Sequence, residues 1–484
     1  MARRDYDDFE GCSMKITHPF WRGGILAVVA GILLGLLTFF LIPVFSPEKK
    51  PEAVAPAAPA VLAAASATAL PALDPAHGAP ETTVLAQTLD PIFASATGAT
   101  ITASVIDVAT GEEVYSRSGA TPGTPASSLK VLTAVAATHA MGENTRFSTK
   151  TVLKDPTTVV LVGGGDVLLG AGENSASVSG RAGLGTLAKH TATALAAAQS
   201  SGQVGDSITI QLDESLFSGE AMNPAWDVSL LASHDIAPIS PLAMYGARAD
   251  AGAKTARVGD PGMYAAKTFA SALGSALKAA NGPTLSATVT RTESGTEGTE
   301  LASVKSAPLS EQLQFMLEVS DNYVAETMGR LVAVAAKEPG DYAHGAAAVA
   351  RVVGELGINT TGLVLLDTSG LAAADLVSPL TLASALAYAA SSEHVSLRNI
   401  SYWLPIAGAT GTLTSRLGTP ETRGVLRAKT GSLMEVSSLT GLSVTQDGRL
   451  VAFSFLVHTS DRAIAPHKGV LDAAALALTQ CGCS

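Results

Sequence analysis

Apolar residues change rhythm along this 484-residue chain, and each change marks a different kind of segment. From Gly23 to Phe45 the sequence is continuously uncharged, long enough to supply the roughly 20 apolar residues that a membrane-spanning helix needs. The run exceeds the roughly 7–15 residues of a signal-peptide core, so residues 23–45 read as an uncleaved transmembrane anchor. Arg3, Arg4, Lys15 and Arg22 precede it, and only Lys49 and Lys50 follow closely. The positive-inside bias then keeps residues 1–22 as a cytoplasmic tail and places the rest of the chain outside the cell membrane. Residues 46–84 are rich in Ala and Pro, a composition that cannot pack a core and reads as a disordered linker.

From Leu85 onward the periods are those of folded elements. Residues 101–107 alternate apolar and polar, Thr110-Gly111 supplies a turn, and residues 113–116 continue as a second strand. Pro125-Ala126-Ser127 precedes Leu129, Val131, Leu132, Val135 and Ala136, the spacing of a buried helix with Ser127 in its first turn. Residues 154–306 have different habits: strands at 158–162 and 208–212, Gly-rich turns, and a helix at 265–280. Helices are expected again at 310–318, 322–337 and 382–390. Strands at 424–429, 436–444 and 449–457 follow, with Asp447-Gly448 as a hairpin turn, and then a last helix at 468–478. Strands at both ends with helices between predict an α/β domain from residues 85–153 and 307–484, its first and last segments sharing one antiparallel sheet. Residues 154–306 are an inserted, mixed, β-rich region.

Composition narrows the partners. A net charge of −11 with 47% hydrophobic residues leaves no basic face that could displace phosphate counterions, so nucleic acid is excluded as a partner. No His-Glu-x-x-His or Cys/His cluster is present, so neither a metal nor another cofactor is expected. Gly163-Gly164-Gly165 lacks the Gly-Lys-Ser/Thr that a nucleotide loop requires. Cys481 and Cys483 stand at the end of the chain; a bridge between them closes a very small loop, and the expectation is a frayed tail.

Three short motifs carry the chemistry: Ser127-Ser128-Leu129-Lys130, Ser320-Asp321-Asn322 and Lys429-Thr430-Gly431, in that order. A serine hydroxyl is a weak nucleophile that needs a base. Lys130, one helical turn after Ser127, can meet it on the same face, and a desolvated, cationic setting lowers an amine's pKa enough for that role. In the joint between two helices, Ser320 can relay a proton to a leaving amine, and the Asn322 amide can orient Lys130 and substrate. Lys429 and Thr430 end a strand, where ammonium and hydroxyl suit a substrate carboxylate, Gly431 allows close backbone approach, and the Ser432 amide can serve an oxyanion. Each motif alone is weak: Ser275-Ala276-Leu277-Lys278 repeats the first spacing inside a smooth amphipathic run and reads as ordinary helix. Lys254-Thr255 and Lys267-Thr268 lack the Gly.

In combination the motifs resemble those of the class C low-molecular-mass penicillin-binding proteins, the D-alanyl-D-alanine carboxypeptidase/endopeptidase family. Further stretches resemble the family in the same order: Leu161 to Asp166, Leu212 to Phe217, Ala237 to Leu242, Asp367 to Leu371 and Gly411 to Leu413. The resemblance implies a transpeptidase-like domain of the penicillin-binding-protein and serine β-lactamase type, with an antiparallel sheet flanked by helices and a long insertion after the nucleophile helix. It also implies that Ser127 attacks the carbonyl of peptidoglycan stem peptides ending in D-Ala-D-Ala, with Lys130 as base and Ser320 as proton relay. Lys429 and Thr430 would bind the terminal carboxylate, the Ser127 and Ser432 amides would hold the oxyanion, and β-lactams would acylate Ser127 as inhibitors. The chain departs from the family at Ala372-Ala373, where Ser-Arg is common; weaker recognition of a free diaminopimelate carboxylate is the expectation. A β-lactamase is the competing enzyme reading, but no deacylating carboxylate falls near the motifs.

Overall fold

The computed structural model describes residues 78–484 apart from 253–255, 294–296, 392, 461–463, 465–466 and 484. The tail and anchor expected at 1–22 and 23–45, and most of the linker at 46–84, lie outside the described residues. Among the described residues no helix is long and apolar enough to cross a membrane.

Helix α1 (Thr82–Ala94) comes first. Leu85, Leu89 and Phe93 recur at helical spacing and are buried, so the last residues assigned to the linker are helical instead. Strands β1 (Ala99–Asp107) and β2 (Glu113–Arg117) form the expected hairpin. A tight 3-10 turn, Ala126–Leu129, runs directly into α2 (Lys130–Met141); Ser127 therefore sits in the turn that launches the helix. Next come β3 (Ser148–Asp155), β4 (Thr158–Val162), α3 (Leu184–Ser200), β5 (Ser207–Asp213), α4 (Pro261–Ala280), β6 (Thr284–Thr292) and β7 (Thr299–Lys305). Helices α5 (Leu309–Val319), α6 (Asn322–Ala335), α7 (Tyr342–Glu355) and α8 (Pro379–Ala390) follow. The chain closes with β8 (Arg427–Leu433), β9 (Val436–Val444), β10 (Leu450–Thr459) and α9 (Lys468–Thr479).

One sheet has the order β2-β1-β10-β9-β8 and is antiparallel throughout, so the first and last segments do share it. Strands β1, β9 and β10 are buried along nearly their whole length because helices cover both faces. Ile101, Ala103, Val105, Phe453 and Phe455 pack with Leu85 and Phe93 of α1 and Leu471 and Leu478 of α9. Ile106, Ala452 and Leu456 join the opposite core with α2 and α8. Burying each large apolar side chain contributes about 1.5–3 kcal/mol. Arg449 donates to both carboxylate oxygens of buried Asp107, at 2.9 and 2.7 Å, tying the final hairpin to the end of β1.

The other sheet has the order β6-β5-β4-β3-β7; β4, β5 and β6 run parallel, while β3 is antiparallel to β4 and β7. Helices α3 and α4 cover one face through Leu187, Leu195, Phe269 and Leu273. Because residues 148–155 pair into this sheet, the insertion starts before the expected boundary at 154. Its neck is where Phe147 N donates to Ser306 Oγ and Ser306 N to Phe147 O, both at 2.9 Å. Cys481 and Cys483 are paired as a disulfide and buried beside α1, and Glu81 N donates to Cys483 O at 2.6 Å. The end of the chain is packed rather than frayed.

Candidate active site

The three motifs, distant in sequence, line one cleft of roughly 320 Å³ together with Gly370, Thr412 and Ser432. Lys130 is fully buried, and its Nζ lies 2.8 Å from Ser127 Oγ, 2.7 Å from Asn322 Oδ1 and 2.6 Å from the Ser369 carbonyl. The two carbonyl oxygens can only accept, so they claim two N–H bonds of the amine and leave its third position facing the serine hydroxyl. Burial is the main cause that lowers the Lys130 pKa from 10.5 to about 8, against the opposing pull of Asp367, Asp321 and Glu326. Glu326, also buried, has its carboxyl pushed up to about 8.

Backbone strain aims both hydroxyls. Ala126, just before the nucleophile candidate, has φ 47°, and Ser320 has φ 58°; left-handed geometry costs a non-glycine residue on the order of 1–3 kcal/mol. Tight packing holds these turns in place. A Cβ on Gly370 would lie 1.9 Å from Ala126 O, and one on Gly431 would lie 2.1 Å from Ser438 Oγ and 3.0 Å from Ser127 N. Only glycine lets the loop and strand β8 lie this close. Ser438 Oγ in turn bonds Ser128 Oγ at 2.8 Å and the Pro125 carbonyl at 2.7 Å, fixing the turn from behind.

The Asp367 loop presents Ser369 O to Lys130. The Asp367 carboxylate accepts from the backbone N–H groups of Ser369, Gly370, Leu371 and Ala372 at 2.7–3.0 Å, and from Trp226 Nε1 of the insertion at 2.8 Å. Asp375 lies beside it, and burial pushes its carboxyl up to about 10. Ala372 is buried and Ala373 exposed, and neither lines the cleft; the Ser-Arg pair expected from the resemblance is replaced by two methyl groups.

Residues of the insertion also brace the second motif from outside. Asp321 caps α6 by accepting from Val324 N at 3.0 Å. Its Oδ2 pairs with Arg248 at 3.0 Å and Arg257 at 3.3 Å. These cations keep the Asp321 pKa low despite burial, which opposes them. Asn322 Nδ2 donates to Asp235 O at 3.0 Å, so the amide is oriented from both ends. Trp226, Arg248 and Arg257 escaped the sequence reading, since they match no motif and meet their partners only through the fold.

Lys429 is bonded to the second motif and to its own strand. Its ammonium is fully buried and donates to Ser320 Oγ at 2.9 Å and the Thr430 carbonyl at 2.7 Å; burial, then Lys130, lowers its pKa well below 10.5. Thr430 Oγ1 donates to Thr412 Oγ1 at 2.9 Å, and Ser432 is exposed on the rim. The second S-x-x-K match stays apart: Ser275 lies within α4 and donates to Ser271 O at 3.2 Å.

A hydroxyl facing a desolvated amine, a second hydroxyl on a second amine and a strand at the cleft's edge define a serine acyl-enzyme hydrolase of the penicillin-binding class. Comparison with known proteins agrees. The sequence pattern of the D-Ala-D-Ala carboxypeptidase 3 (S13) family matches residues 85–256 and 242–476. A carboxypeptidase DacB of Mycolicibacterium smegmatis is 34% identical over 97% of this chain and 98% of its own length. A D-alanyl-D-alanine carboxypeptidase of an Actinomadura species is 29% identical over 85% of this chain and 87% of its own. Penicillin binding protein 4 (dacB) from Haemophilus influenzae shares the fold, with a TM-score of 0.62 and 22% identity over 82% of this chain and 98% of that one. The chain belongs to the D-Ala-D-Ala carboxypeptidase 3 (S13) family, as a serine D-Ala-D-Ala carboxypeptidase with two sheets and flanking helices.

Proposed function

We propose that Ser127 is the nucleophile that this carboxypeptidase uses on peptidoglycan stem peptides, working outside the cell membrane and tethered through residues 23–45. The observation that carries the residue assignment is the 2.8 Å contact between the buried Lys130 amine and Ser127 Oγ. Neutral Lys130 takes the hydroxyl proton as Oγ bonds to the penultimate D-alanyl carbonyl carbon. The backbone N–H groups of Ser127 and Ser432 hold the resulting oxyanion. Ser320, hydrogen-bonded to Lys429, hands a proton to the departing nitrogen as the C–N bond breaks, and D-alanine leaves. Water then attacks the ester by the reverse proton path and restores Ser127.

The same steps apply to a D,D-crosslink, whose scissile bond also joins a D-alanyl carbonyl to an amine, so endopeptidase work on crosslinked muropeptides is part of the proposal. With Ala372-Ala373 in place of Ser-Arg, side-chain preference is set without an Arg after the Asp367 loop. Full-length protein given an N-acylated peptide ending in D-Ala-D-Ala is expected to release D-alanine, and Ser127→Ala to lower turnover by at least about a thousandfold. Retained turnover in that variant would overturn the assignment. The anchor is tested separately: deleting residues 23–45 should free the protein from the membrane fraction.

A further inference from the structure

Cleavage next to a terminal D-alanine expels an amine whose neighbouring carbon bears a free carboxylate, so the leaving-group half of the cleft calls for a cation; this requirement rests on the function proposed above. The basic residues of the site are mostly committed elsewhere. Lys130 and Lys429 are buried and bonded within the machinery. Arg416 lines the cleft, but Asp472 holds it in a two-pronged pair, Nη2 to Oδ1 at 2.7 Å and Nε to Oδ2 at 3.2 Å. Lys468 lines the same cleft, is half-buried, and has no ion-pair or hydrogen-bond partner for its ammonium among the described residues.

Its position follows from a chain of contacts. Thr430 is bonded to Thr412, and Arg416, four residues after Thr412, binds Asp472 of α9. Asp472 and Lys468 are four residues apart on that helix, and so share a face. Lys468 therefore stands on the Thr430 flank of the cleft. We propose that Lys468 is a specificity-determining residue for the leaving group. Its ammonium receives the carboxylate beside the scissile nitrogen, together with the Thr430 hydroxyl, which turns to the carboxylate and accepts from Thr412 in exchange, while Lys429 serves Ser320.

The test compares one N-acylated peptide ending in D-Ala-D-Ala as the free acid and as the terminal carboxamide, using full-length protein. Wild type is expected to favour the acid. Lys468→Met should lower kcat/KM for the acid by about ten- to a hundredfold, the scale of one charge-assisted hydrogen bond. The drop should be much smaller for the amide, so the preference collapses, and Lys468→Arg should restore most of it. An equal loss on both substrates would make Lys468 structural and overturn the proposal, as would an unchanged preference; both leave the proposed function standing. A wild-type protein inert to both peptides and to benzylpenicillin would instead overturn the function, and this proposal with it.

Discussion

Raising the pH should accelerate acylation by benzylpenicillin until Lys130 has lost its proton, and the structure fixes where that rise ends. Moving the amine from its ordinary 10.5 to about 8 sets about 3.4 kcal/mol against the ammonium, at about 1.36 kcal/mol per pH unit. At pH 7 roughly a tenth of the molecules then hold neutral Lys130, against on the order of one in 3,000 for an ordinary lysine. Second-order acylation constants measured between about pH 5.5 and 9.5 should climb nearly tenfold per unit and level off near 8. Arg257→Leu is the informative perturbation. Arg257 disfavours the Lys130 ammonium and pairs with Asp321, whose carboxylate favours it. Removing the guanidinium acts in one direction through both routes, so the midpoint should move upward. A profile flat from pH 6 to 9, a rise that ends only near 10, or a midpoint that falls in Arg257→Leu would refute the argument that a buried amine in this charge environment is the base.

Two further outcomes follow from packing. Arg449→Leu leaves the fully buried Asp107 without its two-pronged partner and should cost about 3–5 kcal/mol in urea unfolding, while the folded fraction is acylated within about twofold of wild type. Gly431→Ala places a methyl group against Ser438 Oγ and the Ser127 backbone; displacing β8 from the nucleophile turn should slow acylation by about a hundredfold or more, measured on protein shown to be folded by near-ultraviolet circular dichroism.

Much of the candidate site was legible because each motif is local in sequence. Ser127 and Lys130 lie one turn apart, Ser320 and Asn322 flank a helix joint, and Lys429 to Gly431 end a buried strand. The strand at 436–444 and the Asp447-Gly448 turn follow from alternation and turn chemistry, and the structure has both. What stayed hidden depends on pairing across long sequence separations. The alternation of residues 148–155 suits either sheet, and only pairing with β7 assigns the strand to the insertion. Helix α1 was missed at the linker boundary, where Ala-rich sequence blurs its apolar stripe. Trp226, Arg248 and Arg257 act on Asp367 and Asp321 through space, and no spacing rule connects them. The motif named Lys429 as a carboxylate ligand, and its burial and its bond to Ser320 are contacts that no spacing rule announced.

The most direct test is intact-mass spectrometry of the protein after incubation with benzylpenicillin, followed by peptide mapping. One penicilloyl adduct is expected, on the peptide that contains Ser127, absent in Ser127→Ala and unaffected in Ser275→Ala. An adduct on another residue, or rapid turnover of the antibiotic with no accumulating acyl-enzyme, would contradict the Ser127 assignment.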